Sequence, residues 1–132
     1  MFVPSPLPRT RAAALRDLAS EKEATRVAAL RDLVPHLLAA AGRRDAGVEN
    51  AEVDAVVRTL GDPSAIVRVE AATALADLAA LPAARAAMPA LLRAQNDEHP
   101  HVAQFALVAA VAIATAVQGG AQADDPLVDR AR

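Results

Sequence analysis

The residue types best suited to metal coordination stand in one short segment, Asp97-Glu98-His99-Pro100-His101. Two histidines and a carboxylate are ligands that Zn²⁺ or Ni²⁺ takes from proteins. However, Pro100 suits the first turn of a helix, where Asp97 serves as the cap and Glu98 interacts favourably with the helix dipole. We therefore predict that the segment begins a helix and that the chain binds no metal and no other cofactor.

Few side chains of this protein could act as catalytic nucleophiles. There is no cysteine, so thiol catalysis, disulfides and thiolate metal sites are excluded. Ser5 lies among prolines, while Ser20 and Ser64 stand where helices are expected to start and where capping explains a serine. No Ser/His/Asp spacing suggests a catalytic triad. We predict a non-enzymatic protein without catalytic residues, and the absence of cysteine favours the cytoplasm.

The positive charge is concentrated near the N-terminus. The chain carries a net charge of -2, yet residues 1–44 hold eight Arg and Lys against four Asp and Glu. Nucleic-acid binding through this Arg-rich third is one alternative function. The acidic residues are interleaved at helical contact spacing, so much of the charge can pair locally. There is also no Trp or Tyr to stack on bases.

The composition predicts an all-α protein. Alanine, the strongest helix former, fills 36 of 132 positions, and no segment alternates like a strand. Capping residues, prolines and glycines divide the chain into six helices in three pairs. Pro35 should kink the second helix, Gly61 should end the third, and the pair Gly119-Gly120 should end the sixth. The six expected ranges are about 10–19, 21–41, 49–60, 64–80, 83–95 and 100–118.

These elements give a simple domain plan. Residues 1–9 form an extended, proline-rich arm without the features of a signal peptide. Residues 10–118 form the helical domain, and residues 119–132 form a polar tail. The helical pairs within the domain occupy residues 10–41, 49–80 and 83–118.

The chain also repeats itself with a period of 35 residues. The segment Val56-Val57-Arg58-Thr59-Leu60-Gly61-Asp62 is followed by Leu91-Leu92-Arg93-Ala94-Gln95-Asn96-Asp97, and similar apolar spacing follows each. A period of this length is typical of stacked helical units that bury their apolar faces on one another.

The stretch Leu60-Gly61-Asp62-Pro63-Ser64-Ala65-Ile66-Val67-Arg68, followed by Ala71-Ala72, Ala74-Leu75 and Leu78, resembles the HEAT repeat, especially the bacterial HEAT-like repeats also found in phycobilisome lyases. The resemblance implies a short right-handed α-α superhelix of about three hairpins. It also implies that Asp62 caps a helix and joins Arg68 in a polar ladder between repeats.

The other two copies depart from this pattern. The last copy keeps Asp97, Val102 and Ala106 but has Ala103 where the arginine is expected. The first copy fits in two ways. A shift of 42 residues matches Ser20 to Asp62 and Arg26 to Arg68, whereas a shift of 45 matches the apolar positions. The sequence leaves both open; the apolar matches are Ala29, Leu30 and Leu33 with Ala74, Leu75 and Leu78.

The sixth helix departs most from its counterpart in the middle repeat. A shift of 35 residues replaces Arg68 by Ala103, Glu70 by Phe105 and Asp77 by Ala112, and only two of residues 102–117 are polar. Such a helix is normally buried all round. Sixteen residues fall short of the ~20 that cross a membrane. The tail, another repeat, a second copy of the chain or a partner could cover it.

Helical arrays of this kind usually bind other proteins. We predict an adaptor, scaffold or regulatory module that binds a partner protein, or a second copy of the chain through residues 100–118. The resemblance leaves an alternative, an enzyme or accessory acting on a prosthetic group in the manner of a bilin lyase. Expected partner-binding residues are Arg26, Arg31, Arg68, Glu70 and Asp77 in a charged strip, with Phe105, Val108 and Val111 as an apolar anchor.

Overall fold

The computed structural model describes residues 7–42 and 50–123, and all regular structure within these two ranges is helical. This confirms the all-α class for the part of the chain described. A 3-10 turn, Thr59–Gly61, extends the third helix, and a 3-10 segment, Pro82–Ala87, leads into the fifth. The α-helices are α1 (Arg11–Asp17), α2 (Glu23–Ala41), α3 (Asn50–Arg58), α4 (Ala65–Asp77), α5 (Met88–Ala94) and α6 (Pro100–Ala123).

The helix starts differ in detail from the sequence-based expectation. The cap of α4 is Ser64, whose hydroxyl accepts a hydrogen bond from the backbone N–H of Val67. Asp62, expected to be this cap, instead accepts a hydrogen bond from the backbone N–H of Ser64 at 2.9 Å. It therefore stabilises the turn before the helix. A carboxylate can hold the backbone two residues further along the chain in this way, which competes with capping.

Ser20 and Asp97 occupy the same kind of turn. The Ser20 hydroxyl accepts from the backbone N–H of Lys22 at 3.2 Å, and the Asp97 carboxylate accepts from that of His99 at 2.9 Å. Helix α2 begins at Glu23 with Lys22 as its cap. The three predicted caps Ser20, Asp62 and Asp97 are thus turn residues, each placed two residues before the position that caps or starts its helix.

One glycine acts differently from the sequence-based expectation. Helix α2 contains Pro35 within one element, as expected. The fifth helix is divided into a 3-10 segment and α5, with Pro89 in the first turn of α5, where its missing N–H costs no hydrogen bond. Helix α6 continues past Gly119 to Ala123, so the polar tail expected from residue 119 begins within a helix. No described glycine has a positive φ, and Gly119 lies within the helix and not at its end.

The long helices contact one another in chain order. Helix α4 packs between α2 and α6, while α1 packs on α2 and α5 on α6; α3 packs on α4 and on the 3-10 segments. Buried alanines such as Ala29, Ala71 and Ala106 have no exposed surface and allow the helix backbones to approach closely. The largest fully buried side chains are Leu30, Leu33, Leu37, Val53, Val56, Val67, Leu75, Leu78, Leu91, Val102 and Ile113.

Helix α6 is longer than expected, which overturns the length argument against a membrane span. Residues Pro100–Gly119 form a 20-residue apolar stretch with a mean hydropathy of 1.8, and 28% of an 18-residue window within it is buried in the molecule. By length and composition alone this stretch could cross a bilayer, although core helices of soluble proteins meet the same criterion. Most of the apolar helix α6 therefore lies on the surface of the molecule.

Candidate functional site

Two arginines link consecutive helical pairs along one edge of the molecule. Arg26 in α2 donates from Nε and one terminal nitrogen to both carboxylate oxygens of Asp62, at 2.8 and 3.0 Å. Its other terminal nitrogen donates to the backbone carbonyls of Ser20 and Glu21 at 2.9 and 3.2 Å. One guanidinium therefore ties the turn before its own helix to the turn before α4.

Arg68 in α4 makes the same four contacts one unit later. It donates to both carboxylate oxygens of Asp97 at 2.9 and 3.2 Å, and to the carbonyls of Asp62 and Pro63 at 2.9 and 3.2 Å. We call these two sets of contacts the arginine bridges. In each bridge the two backbone carbonyls that accept from the arginine belong to the residues six and five positions before it. Arg26 therefore corresponds to Arg68. The bridges therefore support the shift of 42 residues for the first copy.

The electrostatics of the second bridge favour an ionised carboxylate. Burial alone would raise the pKa of Asp97, but hydrogen bonds from the His99 backbone N–H and the Arg68 guanidinium lower that pKa below its ordinary value. A bidentate pair that also satisfies backbone carbonyls is strong and directional. The bridge thus fixes how two turns lie against each other.

Two residues of the predicted charged strip take part in the bridges. The side chains of Arg26 and Arg68 are only 15% and 13% exposed, and each is engaged within the molecule. Recruitment of either arginine by a partner would leave Asp62 or Asp97 without its cation. Arg31 and Glu70 pair with each other at 3.0 Å, with Arg31 largely exposed.

Other arginines of the N-terminal third also pair with carboxylates. Arg9 pairs with Asp17 and Asp32 at 2.8 and 3.0 Å, and Arg11 pairs with Glu52. The Arg9 guanidinium, with help from Arg16, lowers the pKa of Asp17. These ion pairs reduce the positive field that a nucleic-acid interface would require.

A surface groove of about 530 Å³ lies where α2, α4 and α6 meet. Its apolar walls include Ile66, which is 61% exposed, and Phe105, which is 37% exposed. Its polar lining includes the Arg31–Glu70 ion pair and two histidines. The full lining is Arg31, Ala65, Ile66, Val69, Glu70, His99, His101 and Phe105.

The two histidines of the groove lie close together without forming a recognisable metal site. Their ring centroids are 5.4 Å apart, and the Nδ1 atom of His99 is buried with no hydrogen-bond partner among the described residues. Asp97, the third ligand considered above, is held by Arg68. In the part of the chain described here, no three His, Asp or Glu side chains are grouped to hold a metal ion.

The structure brings together only part of the predicted binding surface. Arg31, Glu70 and Phe105 meet in the groove, whereas Asp77, Val108 and Val111 are exposed but do not line it. Sequence reasoning missed Ile66, which it took only as part of the repeat motif. The available signal was its position three residues before Val69 and four before Glu70, which places it on the same helical face as both.

Comparison with family models, curated proteins and solved structures found no match to the chain. The resemblance to HEAT repeats receives no support from these comparisons.

Proposed function

We propose that this protein is a non-enzymatic, cytoplasmic protein-binding module, built from three HEAT-like helical hairpins stacked in a short right-handed superhelix. Two features support the hairpin stack: α2, α4 and α6 contact in chain order, and the arginine bridges recur between consecutive pairs. The partner-binding site is the groove between these three helices.

One observation carries the proposal: an exposed apolar side chain from the central helix, Ile66, lines the same groove as Phe105 of the next helix. Exposed apolar side chains that converge in a concavity, with polar groups at the rim, are typical of protein-binding sites. The Arg31–Glu70 pair and His101 supply polar groups of this groove.

The groove fits a segment of another protein that inserts one or two apolar side chains. A volume of about 530 Å³ holds such side chains. A bilin lyase needs a site that surrounds a tetrapyrrole, and this groove is open on the surface. Nucleic-acid binding is disfavoured by the carboxylates paired with Arg9, Arg11 and Arg31. We therefore prefer a protein partner to either alternative.

The test places a photo-crosslinking amino acid at position 66 and exposes the protein to a lysate of its source cells. We expect a discrete adduct that is absent when the same crosslinker replaces Leu38, a comparably exposed apolar residue of α2 outside the groove. The captured protein, once purified, should bind the wild type and lose about 2 kcal/mol of binding free energy with Ile66→Asp.

Equal adduct yields at positions 66 and 38, or an affinity unchanged by Ile66→Asp, would exclude the groove as the partner site. A saturable spectral shift on titration with a bilin would favour the lyase alternative. Salt-sensitive binding to DNA or RNA would favour the nucleic-acid alternative.

A further inference from the structure

The last hairpin presents the surface that the earlier hairpins use for stacking. With the spacing set by the arginine bridges, Leu30 in α2 corresponds to Ala72 in α4 and to Leu107 in α6. Leu30 and Ala72 are fully buried, whereas Leu107 is 50% exposed. Each of the first two helices is followed by another long helix packed on it, while α6 is the last of the three.

Two further positions repeat this difference. Val34 and Ala76 pack partly buried against the core, whereas their counterpart Val111 is 56% exposed. Val57 likewise packs against the core and lines the cleft next to α5, whereas its counterpart Leu92 is 53% exposed. We call the surface formed by Leu92, Leu107 and Val111, together with the adjoining exposed face of α6, the end face.

A fourth hairpin that stacks in the same arrangement does not match this surface. An arginine bridge to a following unit would need a guanidinium at position 103, where the chain has Ala103. In the first hairpin, Ser20 occupies the position at which Asp62 and Asp97 supply carboxylates in the later ones. A second copy packed head-to-tail would therefore find no carboxylate there for its arginine. Both arginine bridges are therefore internal, and a copy that packs on the end face does so without an arginine bridge.

The exposed face of α6 is complementary to itself. A two-fold axis at Val111, with two copies of α6 antiparallel, places Leu107 near Ala114 of the second copy and Val108 near Thr115. Large residues then oppose small ones, as close helix packing requires. Gln104 and Gln118 meet at the two ends, where side-chain amides can donate to and accept from each other. Residues 100–119 contain no Asp, Glu, Lys or Arg, so no like charges oppose one another.

We propose that the end face is the interface of a two-fold symmetric homodimer in which α6 packs antiparallel on α6 of a second copy. A lipid surface is the less suitable occupant. Helices that lie on membranes flank their apolar face with Lys and Arg and anchor with Trp, but residues 100–119 have no such cation and the chain no Trp.

The area available sets the strength of the dimer. A 20-residue helix is about 30 Å long and about 10 Å wide, which gives a strip of roughly 300 Å², increased somewhat by Leu92 on α5. A stable interface buries about 800 Å² per partner. The dimer is therefore weak and concentration-dependent.

Sedimentation equilibrium of the full chain over a wide concentration range tests the proposal. We expect a reversible monomer–dimer equilibrium that Val111→Glu weakens about tenfold or more, since two carboxylates meet at the axis. Leu38→Glu, which changes a similarly exposed residue of α2, should leave the equilibrium unchanged, and circular dichroism should show both variants folded. A wild type that is monomeric at every concentration overturns the proposal.

Disulfide trapping then tests the orientation, because the chain has no native cysteine. Val111→Cys should form a crosslinked dimer on oxidation. Gln104→Cys and Gln118→Cys should each fail to crosslink alone but should crosslink when mixed. Self-crosslinking of Gln104→Cys alone would show a parallel pair and overturn the antiparallel arrangement.

Vesicles of phosphatidylglycerol and phosphatidylethanolamine distinguish the membrane alternative. The wild type should not float with them. Vesicle binding that Val111→Glu abolishes, together with a monomer in solution, would replace the dimer with a membrane interface. If the protein dimerises but the groove captures no partner, the result contradicts the proposed function and leaves the dimer proposal intact.

Discussion

At the scale of single residues, each arginine bridge depends on the shape of the guanidinium. Arg26 and Arg68 each use all three nitrogens, two for a carboxylate and one for two backbone carbonyls. A lysine ammonium is a point charge and cannot span these acceptors in one plane. The geometry, more than the charge, therefore explains why arginine stands at both positions.

Replacement of Arg68 by alanine should lower the free energy of unfolding by about 2–3 kcal/mol, because Asp97 and two backbone carbonyls lose their donor. Arg68→Lys should recover less than half of this loss. Chemical denaturation monitored by circular dichroism measures both, with the exposed Arg93→Ala as control. A lysine variant as stable as the wild type would show that charge alone suffices.

Stability should fall in acid partly through Asp97. Its pKa is lowered in the folded state, so its contribution is fully present above the ordinary Asp value of about 3.9 and is lost as the pH falls through the lowered value. In Asp97→Asn this titration is absent. We expect the difference in Tm between wild type and variant to be largest at neutral pH and to shrink below about pH 4. A difference that stays constant with pH would contradict the role of the carboxylate.

At the scale of elements, capping and packing rules predicted helix number and order well but helix ends less well. Thr10 caps α1, and Pro100 begins α6, as expected from residue type. The predicted end of α6 was wrong because a glycine pair favours the end of a helix without enforcing it, and Gly119 keeps helical backbone angles. Residue type alone does not specify those angles.

Gly119 therefore offers a direct test of the length of α6. A Cβ at this position would meet no atom within 4 Å, and the backbone is helical. Gly119→Ala should stabilise the protein by about 0.5–1 kcal/mol, whereas the opposite change within the same helix, Ala116→Gly, should cost about 1 kcal/mol. Thermal and chemical unfolding measure both. Destabilisation by Gly119→Ala would mean that the glycine ends the helix after all.

The element scale also shows why the candidate site was only partly predictable. The sequence motif identified Arg68 and Asp62 as polar positions of one repeat, but it could not show that Arg68 reaches forward to Asp97 while Asp62 receives Arg26. The spacing differs, 36 residues in one bridge and 29 in the other. Such pairs depend on how far the intervening helices and turns carry the chain, which residue types alone do not determine.

At the scale of the whole molecule, the three long helices create two different surfaces. One is the groove, which Ile66 and Phe105 line with exposed apolar side chains. The other is the end face, formed by exposed apolar side chains of α5 and α6. The sequence indicated an unusually apolar last helix, but only the burial of Leu30 and Ala72 shows that Leu107 corresponds to positions that are buried in α2 and α4.

The arginine bridges also bear on how such a chain can lengthen. Residues 62–96 carry both an acceptor for the preceding unit, Asp62, and a donor for the following one, Arg68. Tandem duplication of this 35-residue block would insert a middle unit with every bridge still matched. A unit appended after α6 would meet Ala103 and would lack an arginine bridge. Additional units of this kind are therefore accommodated by insertion between existing units.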